Sequence, residues 1–557
     1  MTSVAATMCA TLVDEWVSAG VTDAVVCPGS RSTPLALALA ARPELSLHVK
    51  LDERSAAFFA IGRSLETGMP TVICTTSGTA AAELHAGVVE AHQAKVPLLV
   101  CTADRPPELH FVGAPQTIEQ DGLFPAATRW AVAPGVADQT TASTWRPLGA
   151  RAFAEALSGP LGPGPVHLNL AFREPLVAEP DALPRRPAPA VVRPRGVEYA
   201  LAEPLRGRGV IIAGGGAGAP SDTAQLAELA RTLGWPLCAD PRSGARTEGT
   251  IAAADAIVRT DPAPAEVVVL LGDRWLSKEL AAYVRRCAHS GARVIAVDPW
   301  WQWVDPDHVV SEFYALDPDA WVAGALLGAT ASDPRWLQSW HAMEASAQAA
   351  IDVTLGRELS EPFVARALAR HASEVGAAVL ASASMPMRDL EWYAPASVHP
   401  GVVHANRGAN GIDGVVSTAL GMAASGRRTF ALLGDLAFLY DVSGLVNIAA
   451  APCTFVVLDN GGGGIFSFLP QASELDPERF ELLFGTRPSS KVADVAAGFG
   501  LNVHEANSAS ALEALFDAPA PSVIRVALPS RSDNTMVHAA INEAVARAIR
   551  SRRQSQR

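Results

Sequence analysis

The sequence is poor in lysine and in long apolar runs, and each shortage excludes a class of protein. Its 557 residues include four lysines beside forty arginines, and the formal net charge is −13. A chain this acidic lacks the basic footprint of nucleic-acid-binding proteins, so we expect no nucleic-acid partner. No apolar run approaches the ~20 residues that a membrane-spanning helix needs. We therefore expect no membrane span.

Cysteine is also scarce, and its seven copies are scattered without a C-x-x-C pair. Several lie in apolar strings such as VVCPGS and VICTTS, where a thiol packs as a small hydrophobe. This pattern argues against a zinc site or a redox pair. The N-terminal string MTSVAATMCATLVDEW lacks the basic region of a signal peptide and carries acids that a transit peptide would not. We expect a cytoplasmic protein.

Strand-like and helix-like segments alternate along the chain, which predicts an α/β protein of three doubly wound parallel-sheet domains. We expect these domains at residues 1–183, 195–345 and 357–557. The Pro- and Arg-rich string EPDALPRRPAPAVVRPRG would link the first two. The string GGGAG at 214–218 follows a predicted strand but lacks the acidic residue of a dinucleotide-binding unit, so we interpret its glycines as packing residues.

Two strings in the last block each end a predicted buried strand with an oxygen-bearing side chain. TFALLGDLAFLYD places Asp435 after Gly434, and TFVVLDNGGGGIF places Asn460 25 residues after Asp435. Because ligands of open α/β sheets bind at the carboxyl ends of the strands, we expect both side chains at one edge. Carboxylate and amide oxygens suit a hard octahedral cation such as Mg²⁺, which takes its other ligands from phosphates and water.

Glu53 is the candidate acid–base residue. It lies in SLHVKLDERSAAFFAIG, a predicted strand followed by an Ala- and Phe-rich helix. A buried carboxylate there would have a raised pKa and could share a proton with a heterocycle nitrogen. An Asp-Glu-Arg run by itself is more often a solvated salt-bridge surface. The interpretation therefore depends on the presence of Asp435 and Asn460.

The Gly-Asp…Asn pattern resembles the fingerprint of thiamine diphosphate (ThDP) enzymes, and the order of Glu53 and the metal pair resembles their pyruvate-oxidase-like group. The third residue of the fingerprint, Leu436 where Gly is usual, is typical of one branch. Longer strings indicate which branch: CPGSRSTPLALAL, TTSGTAAAEL, LLVCTADRPPEL, PQTIEQDGLF, ASASMPMRDLEWY, NRGANGIDGVVSTALG, GDLAFLYD and NGGGGIFSFLP. These strings resemble the 2-succinyl-5-enolpyruvyl-6-hydroxy-3-cyclohexene-1-carboxylate (SEPHCHC) synthases of menaquinone biosynthesis, the MenD family.

This resemblance implies a transferase with ThDP and Mg²⁺ or Mn²⁺ as cofactors. It implies decarboxylation of 2-oxoglutarate, then 1,4-addition of the resulting succinyl carbanion equivalent to isochorismate, giving SEPHCHC and CO₂. The first and last domains would have to line one cofactor. The resemblance therefore also implies a homodimer or homotetramer with active sites at the chain interface.

The resemblance assigns roles by position, with Glu53 as the partner of the cofactor's N1′ atom. The implied metal ligands are Asp435, Asn460 and the Gly462 carbonyl. The other implied cofactor contacts are Thr76, Ser77, Gly78, Ile412, Gly434, Leu436, Ile465 and Phe466. The implied substrate contacts are Ser30, Arg31, Arg105, Gln116 and Lys278 for isochorismate, Ser384, Arg388 and Arg407 for 2-oxoglutarate, and Leu469 in an apolar wall with Ile465 and Phe466. Pro115 and Gly461 depart from the family pattern, in which Asn is common at both positions.

The positive charges of the implied substrate contacts suit the two implied substrates. Both are dianions, and bidentate arginine suits planar carboxylates. Because lysine is rare in this chain, Lys278 in LGDRWLSKEL is a candidate for a specific contact with an anionic substrate. The alternative, an ordinary exposed position on a helix, is equally open.

Two alternatives stay open from the residues. A ThDP 2-oxoacid decarboxylase or acetolactate-type synthase would share the metal pair, but simple decarboxylases commonly use adjacent histidines, and none of the thirteen histidines adjoins another. A non-catalytic ThDP-fold scaffold would tend to lose Glu53 or the metal pair, whereas Glu53, Asp435 and Asn460 are all present.

Overall fold

The computed structural model describes residues 2–186, 204–397, 401–446, 448 and 451–555. Within these ranges the strands form three sheets whose strand pairs are all parallel, with helices between the strands. The predicted α/β class with three parallel sheets is confirmed. The predicted linker lies outside the described residues from residue 187 onward.

The first sheet is built from the N-terminal part of the chain. Its strands are β1 (Asp23–Val26), β2 (Ser46–Val49), β3 (Thr71–Thr75), β4 (Leu98–Asp104), β5 (Trp130–Val132) and β6 (Pro165–Ala171), in the order β2-β1-β3-β4-β6-β5. Its helices are α1 (Val4–Ser18), α2 (Thr33–Ala40), α3 (Glu53–Thr67), α4 (Thr79–Glu83), α5 (His85–Ala94) and α6 (Ala142–Ser158). Strands β1, β3 and β4 are buried along their whole length, as apolar strands of parallel sheets are.

The second sheet follows the linker. Its strands are β7 (Gly209–Ala213), β8 (Leu237–Ala239), β9 (Val267–Leu271), β10 (Arg293–Val297) and β11 (Glu312–Tyr314), in the order β11-β10-β9-β7-β8. Its helices are α7 (Thr223–Leu233), α8 (Ala254–Val258), α9 (Lys278–His289), α10 (Pro318–Leu327) and α11 (Pro334–Leu355). A Cβ added to Gly214 would lie 1.6 Å from the Asp273 carbonyl oxygen, so the GGGAG string lets two strand ends approach closely.

The third sheet holds the predicted metal pair. Its strands are β12 (Ala378–Ala381), β13 (Val402–Ala405), β14 (Thr429–Gly434), β15 (Cys453–Asp459), β16 (Asn502–Ala506) and β17 (Ser522–Ala527), in the order β13-β12-β14-β15-β17-β16. The helices along this part of the chain are α12 (Glu361–Val375), α13 (Met385–Tyr393), α14 (Val415–Ala423), α15 (Asp435–Tyr440), α16 (Gln471–Glu474), α17 (Pro477–Phe480), α18 (Val492–Gly498), α19 (Ala509–Leu515) and α20 (Arg531–Ser555).

By its internal contacts the chain divides into two compact units. Unit 1 comprises Met1–Pro194, Asn406–Arg427 and Tyr440–Ala451, and it contains the first sheet. Unit 2 comprises Arg195–Ala405, Arg428–Leu439 and Pro452–Arg557, and it contains the second and third sheets. Within unit 1, α3 packs closely on α14, because a Cβ added to Gly62 would lie 2.1 Å from the Thr418 carbonyl oxygen.

Two expectations from the composition can be compared with the fold. In the part of the chain that the structure describes, no helix is both long and apolar enough to cross a membrane. All seven cysteines are buried and carry free thiols, which agrees with the packing role predicted for them.

Candidate active site

Asp435 and Asn460 follow the ends of two neighbouring strands. In the ladder between β14 and β15, Gly434 pairs with Leu458. Asp435 is the residue directly after β14, and Asn460 is the residue directly after β15. A Cβ added to Gly434 would meet no atom within 4 Å, so the space beside this strand end is open. The register therefore brings both side chains to one edge of the sheet.

The Asp435 carboxylate is buried with one oxygen unsatisfied. Asp435 is 1% exposed, and its Oδ1 accepts a hydrogen bond from the Leu436 N–H at 2.7 Å. Oδ2 is buried without a hydrogen-bond partner. Burial raises the pKa of Asp435 to about 6, although N–H groups of Leu436, Gly462 and Gly461 oppose that rise. A cation at Oδ2 would satisfy the orphan oxygen and stabilise the charged form.

The Asn460 amide also has one polar atom with a hydrogen-bond partner and one without. Its Nδ2 donates to the Glu361 carboxylate at 2.8 Å, whereas its Oδ1 is buried without a partner. Buried acceptors of this kind are rare unless a ligand, ion or water completes them. One carboxylate oxygen and one amide oxygen, both unsatisfied, are the donor set that Mg²⁺ or Mn²⁺ prefers. Among the described residues no three His, Cys, Asp or Glu side chains form a metal cluster, so this pair would rely on oxygens from other groups.

The loop after Asn460 needs its glycines. Gly462 has a φ of +123°, and a Cβ there would lie 2.0 Å from the Gly485 carbonyl oxygen. The same carbonyl accepts the Gly463 N–H at 2.8 Å, which ties the loop to the segment around residue 485. The loop continues into a 3₁₀ helix, Gly464–Phe468, that carries partly exposed Ile465 and Phe466, and Leu469 follows it. The predicted third ligand and the apolar residues thus lie on one loop next to Asn460.

Glu53 is the first residue of α3, at the carboxyl end of β2. Asp52 caps the helix by accepting the Ser55 N–H at 3.0 Å. Glu53 is half-buried, and burial raises the pKa of its carboxyl group. Its negative charge adds to burial in raising the pKa of the Cys27 thiol, which directly follows β1. A carboxyl group held this way releases its proton less readily than an exposed glutamate does.

The turn after β3 connects the predicted cofactor and isochorismate residues. Thr76 and Ser77 are buried there, and Gly78 has a φ of +81°. The Ser77 hydroxyl donates to the Gln116 carbonyl oxygen at 3.0 Å, and Gln116 Nε2 donates to the Ser77 carbonyl oxygen at 2.9 Å. The Arg105 guanidinium donates to the Ser77 hydroxyl. Within unit 1 the structure therefore brings Ser77, Arg105 and Gln116 together.

Arg31 lies close to this cluster. Its guanidinium donates to the Phe172 carbonyl oxygen at 3.0 Å and pairs with the exposed Glu174 at 3.5 Å, while Ser30 beside it is exposed. Burial and then the positive charge of Arg31 lower the pKa of Arg105. Two cations held near each other favour a bound anion, which would relieve their repulsion.

Ser384, Arg388 and Lys278 lie in unit 2. Ser384 has a φ of +81°, rare for a non-glycine residue, and its carbonyl oxygen accepts from Arg388 at 2.8 Å across the first turn of α13. Burial lowers the pKa of Arg388. Lys278 is exposed at the start of α9, and the loop before it is tied to α13 because the Leu276 N–H donates to Glu391 at 2.7 Å.

Arg407 and Ile412 lie on a loop of unit 1 that Glu90 holds. The Glu90 carboxylate, 3% exposed on α5, accepts the N–H groups of Gly408 at 2.8 Å and Ala409 at 2.6 Å. Ile412 is 38% exposed at the end of the same loop. The Glu90 carboxylate therefore fixes the backbone of the loop that carries Ile412, a predicted cofactor contact, and Arg407, a predicted substrate contact.

Comparison with known proteins gives two kinds of match. Residues 6–123 match the family model described as "Thiamine pyrophosphate enzyme, N-terminal TPP binding domain", and residues 197–378 match "Middle domain of thiamine pyrophosphate". A 2-succinyl-5-enolpyruvyl-6-hydroxy-3-cyclohexene-1-carboxylate synthase of Chloroflexus aurantiacus is 43% identical over 86% of this chain and 85% of its own length. Synthases of the same name from Thermobifida fusca and Geobacillus kaustophilus are each 40% identical, over 97% and 88% of this chain and 98% and 89% of their own lengths.

The chain belongs to the SEPHCHC synthase family. Both the resemblance read from the sequence strings and the ThDP-enzyme arrangement of the fold are thereby confirmed.

Sequence reasoning missed two buried carboxylates in this member of the SEPHCHC synthase family. Glu361, 3% exposed at the start of α12, contacts Asn460, and burial with negative charge on Asp389 and Asp435 raises its pKa. Glu90 holds the Arg407 loop. In the sequence, Glu361 reads as an ordinary helix-start residue and Glu90 as one polar position in an Ala-rich helix. No spacing signal in a single sequence links either residue to a site.

A buried polar network in this SEPHCHC synthase-family chain was also missed. Gln120 accepts the Gly78 N–H at 2.9 Å through Oε1, and its Nε2 donates to Asn169 Oδ1 at 2.9 Å. Asn169 Nδ2 in turn donates to Asp104 at 2.8 Å, and the Thr102 hydroxyl donates to Asn169 Oδ1 at 2.9 Å. The network joins the turn after β3 to the ends of β4 and β6. The signal in the sequence is Asn169 itself, which lies in the apolar string PVHLNL that forms most of β6, because an amide in a buried strand needs partners.

Proposed function

We propose that the protein is a transferase of menaquinone biosynthesis that decarboxylates 2-oxoglutarate with ThDP and adds the remaining four-carbon unit to isochorismate in a 1,4 sense, giving SEPHCHC and CO₂. Relatives that share nearly the whole chain bear the name of that synthase. The site observation that carries the proposal is the pair of buried, unpartnered oxygens of Asp435 and Asn460 at neighbouring strand ends.

The residues at this edge fit a metal-bound diphosphate. Asp435, Asn460 and the Gly462 carbonyl would hold Mg²⁺ or Mn²⁺, which would hold the diphosphate. When bound, ThDP supplies the electron sink for the decarboxylation. The remaining cofactor contacts would come from Thr76, Ser77, Gly78, Ile412, Gly434, Leu436, Ile465 and Phe466.

Glu53 would handle the proton of the cofactor's aminopyrimidine ring. Its raised pKa means that the carboxyl group can hold a proton that an exposed glutamate would release. Such a group can donate to the ring atom N1′ and take the proton back, which is general acid–base catalysis.

The cationic residues would orient the two dianionic substrates. Arg31, Arg105 and Gln116, with Ser30 and Lys278, would bind isochorismate, and the mutual repulsion of Arg31 and Arg105 supports an anion there. Ser384, Arg388 and Arg407 would bind 2-oxoglutarate. Leu469 would form part of an apolar wall that keeps water away from the reacting carbon.

We also propose the assembly and compartment. Three domains at 1–183, 195–345 and 357–557 would pair in a homodimer or homotetramer, so that the half-site with Glu53 and the half-site with Asp435 complete each other at a chain interface. The match of the middle-domain model to residues 197–378 supports the order of the domains. Seven free, buried thiols agree with a cytoplasmic location.

Calorimetry with ThDP tests the cofactor part of the proposal. ThDP titrated into metal-free protein should bind measurably only when Mg²⁺ is added. The Asp435→Asn variant should lose this Mg²⁺-dependent binding. Binding that ignores Mg²⁺, or no binding at all, would favour a non-catalytic scaffold.

Measurement of CO₂ from 2-oxoglutarate tests the reaction class. CO₂ release should depend on isochorismate, because the four-carbon unit needs an acceptor. Equal release without isochorismate, with free aldehyde as the product, would favour a simple decarboxylase.

A further inference from the structure

We propose that Glu361 is a positioning residue of the metal site, whose carboxylate holds the Asn460 amide so that its oxygen faces the metal. The inference rests on the proposed function, in which Asn460 is a metal ligand, and adds a second layer to it. In this role Glu361 would contact neither substrate nor metal. It acts through Asn460.

The need for such a residue follows from the shape of an amide. The two ends of an asparagine side chain are nearly identical in size, so packing alone does not decide which end faces a ligand. A metal needs the oxygen, and a reversed amide would present N–H groups to it. The Glu361 oxygen that faces the amide, Oε1, accepts a hydrogen bond from Nδ2, and this contact selects the nitrogen end of Asn460.

The contacts around Asn460 match this requirement. Nδ2 donates to Glu361 Oε1 at 2.8 Å, and the opposite atom, Oδ1, is buried without a partner. A Cβ added to Gly464 would lie 2.7 Å from Nδ2, so the glycine loop leaves room for the amide in this orientation. The amide is thus fixed at its nitrogen and open at its oxygen.

Glu361 itself is held in place. It is 3% exposed and begins α12, where the Ser360 hydroxyl caps the helix by accepting the Phe363 N–H at 3.3 Å. Asp389, which faces the same buried region, is paired with His538 at 3.1 Å. A carboxylate fixed on a helix start gives a rigid support, and outer-layer partners of metal ligands act in this way in other proteins.

Mn²⁺ binding to the metal-free full-length protein with ThDP present, followed by electron paramagnetic resonance of free Mn²⁺, tests the inference. Glu361→Gln should weaken Mn²⁺ binding by about 10-fold or more, because the new amide no longer discriminates between the two ends of Asn460. Glu374→Gln, an exposed position on the same helix, is the control and should match the wild type. Wild-type Mn²⁺ affinity in Glu361→Gln would overturn the positioning role.

A double variant separates positioning from general damage to the fold. In Asn460→Asp combined with Glu361→Gln, the introduced amide can donate to the introduced carboxylate and restore a directed contact. The double variant should bind Mn²⁺ more tightly than Glu361→Gln alone. If Glu361→Gln does not fold, the comparison is with Asn460→Asp alone, and the double variant should again bind Mn²⁺ more tightly. A double variant no better than these would overturn the inference.

Asp435→Asn distinguishes the inference from the proposed function. If Asp435→Asn leaves Mn²⁺ binding unchanged, the metal site itself is wrong. If Asp435→Asn weakens binding and Glu361→Gln does not, only the role of Glu361 is wrong.

Discussion

Gly434 lies opposite Leu458 in the register of the parallel strands β14 and β15. This pairing carries the metal site, because Asp435 follows one strand and Asn460 follows the other. Both strands are buried almost to their ends, so the register is fixed by the core and not by the loop residues. The site therefore comes from long-range strand pairing, and local contacts along the chain contribute little to it.

Glu53→Gln should lower turnover by about 10²- to 10⁴-fold, because an amide cannot exchange a proton with the cofactor ring. Mg²⁺-dependent ThDP binding and the thermal unfolding temperature should change little, since the substitution keeps the shape of a half-buried side chain. Steady-state kinetics with calorimetry measures both. Full activity in this variant would contradict the assignment of Glu53.

Arg105→Ala should raise the KM for isochorismate by roughly 10- to 100-fold, since a charged hydrogen bond contributes about 1.5–3 kcal/mol. The KM for 2-oxoglutarate should stay near the wild-type value. Arg173→Ala is the matched control, because Arg173 is an exposed arginine of the same unit, paired with Glu108. An equal rise of both KM values would contradict a specific isochorismate contact.

Glu90→Ala should loosen the loop that carries Arg407 and Ile412. The N–H groups of Gly408 and Ala409 would lose their hydrogen bonds to the buried Glu90 carboxylate, at a cost of about 2 kcal/mol in the free energy of unfolding. We expect a lower unfolding temperature and a several-fold higher KM for 2-oxoglutarate. Gln93→Ala, exposed on the same helix, should change neither quantity. A wild-type KM in Glu90→Ala would show that the loop does not depend on this carboxylate.

Asp441→Asn should flatten the dependence of stability on pH. Burial raises the pKa of Asp441 to about 6, while Ser417 donates to its carboxylate at 2.7 Å through the backbone N–H. Because the folded chain binds this proton more tightly than the unfolded chain, the contribution favours folding below pH ~4 and is lost as pH rises through ~6, by up to about 3 kcal/mol.

The measurement for Asp441 is the unfolding temperature of the metal-free protein between pH 4 and pH 7. The wild type should lose more stability across this range than Asp441→Asn, with Glu374→Gln as an exposed control. Identical pH profiles for wild type and Asp441→Asn would contradict the raised pKa.

The central strands could be predicted from the sequence because their apolar strings end in glycine or polar residues. RTFALLGD became β14 and TFVVLDN became β15, within a residue or two of the observed ends. The edge strands β8 and β11 were not predicted, since three residues such as Leu237–Ala239 carry too short a pattern. Short strands depend on their neighbours in the sheet for definition.

The residues of the candidate site also fall into those that could be predicted from the sequence and those that could not. Asp435, Asn460 and Glu53 could be predicted because each stands at the end of a recognisable strand. Glu361 and Glu90 could not, because their contacts with Asn460 and Gly408 span 99 and 318 residues. Such pairings arise only when the sheets and helices pack, and nothing in the local sequence records them.

Identification of the product by mass spectrometry tests the proposed reaction most directly. The protein would be incubated with ThDP, Mg²⁺, 2-oxoglutarate and isochorismate together, with Glu53→Gln as the inactive control. We expect SEPHCHC to form together with CO₂, and neither to form in the control. Succinic semialdehyde as the only organic product, or no consumption of isochorismate, would contradict the proposed function.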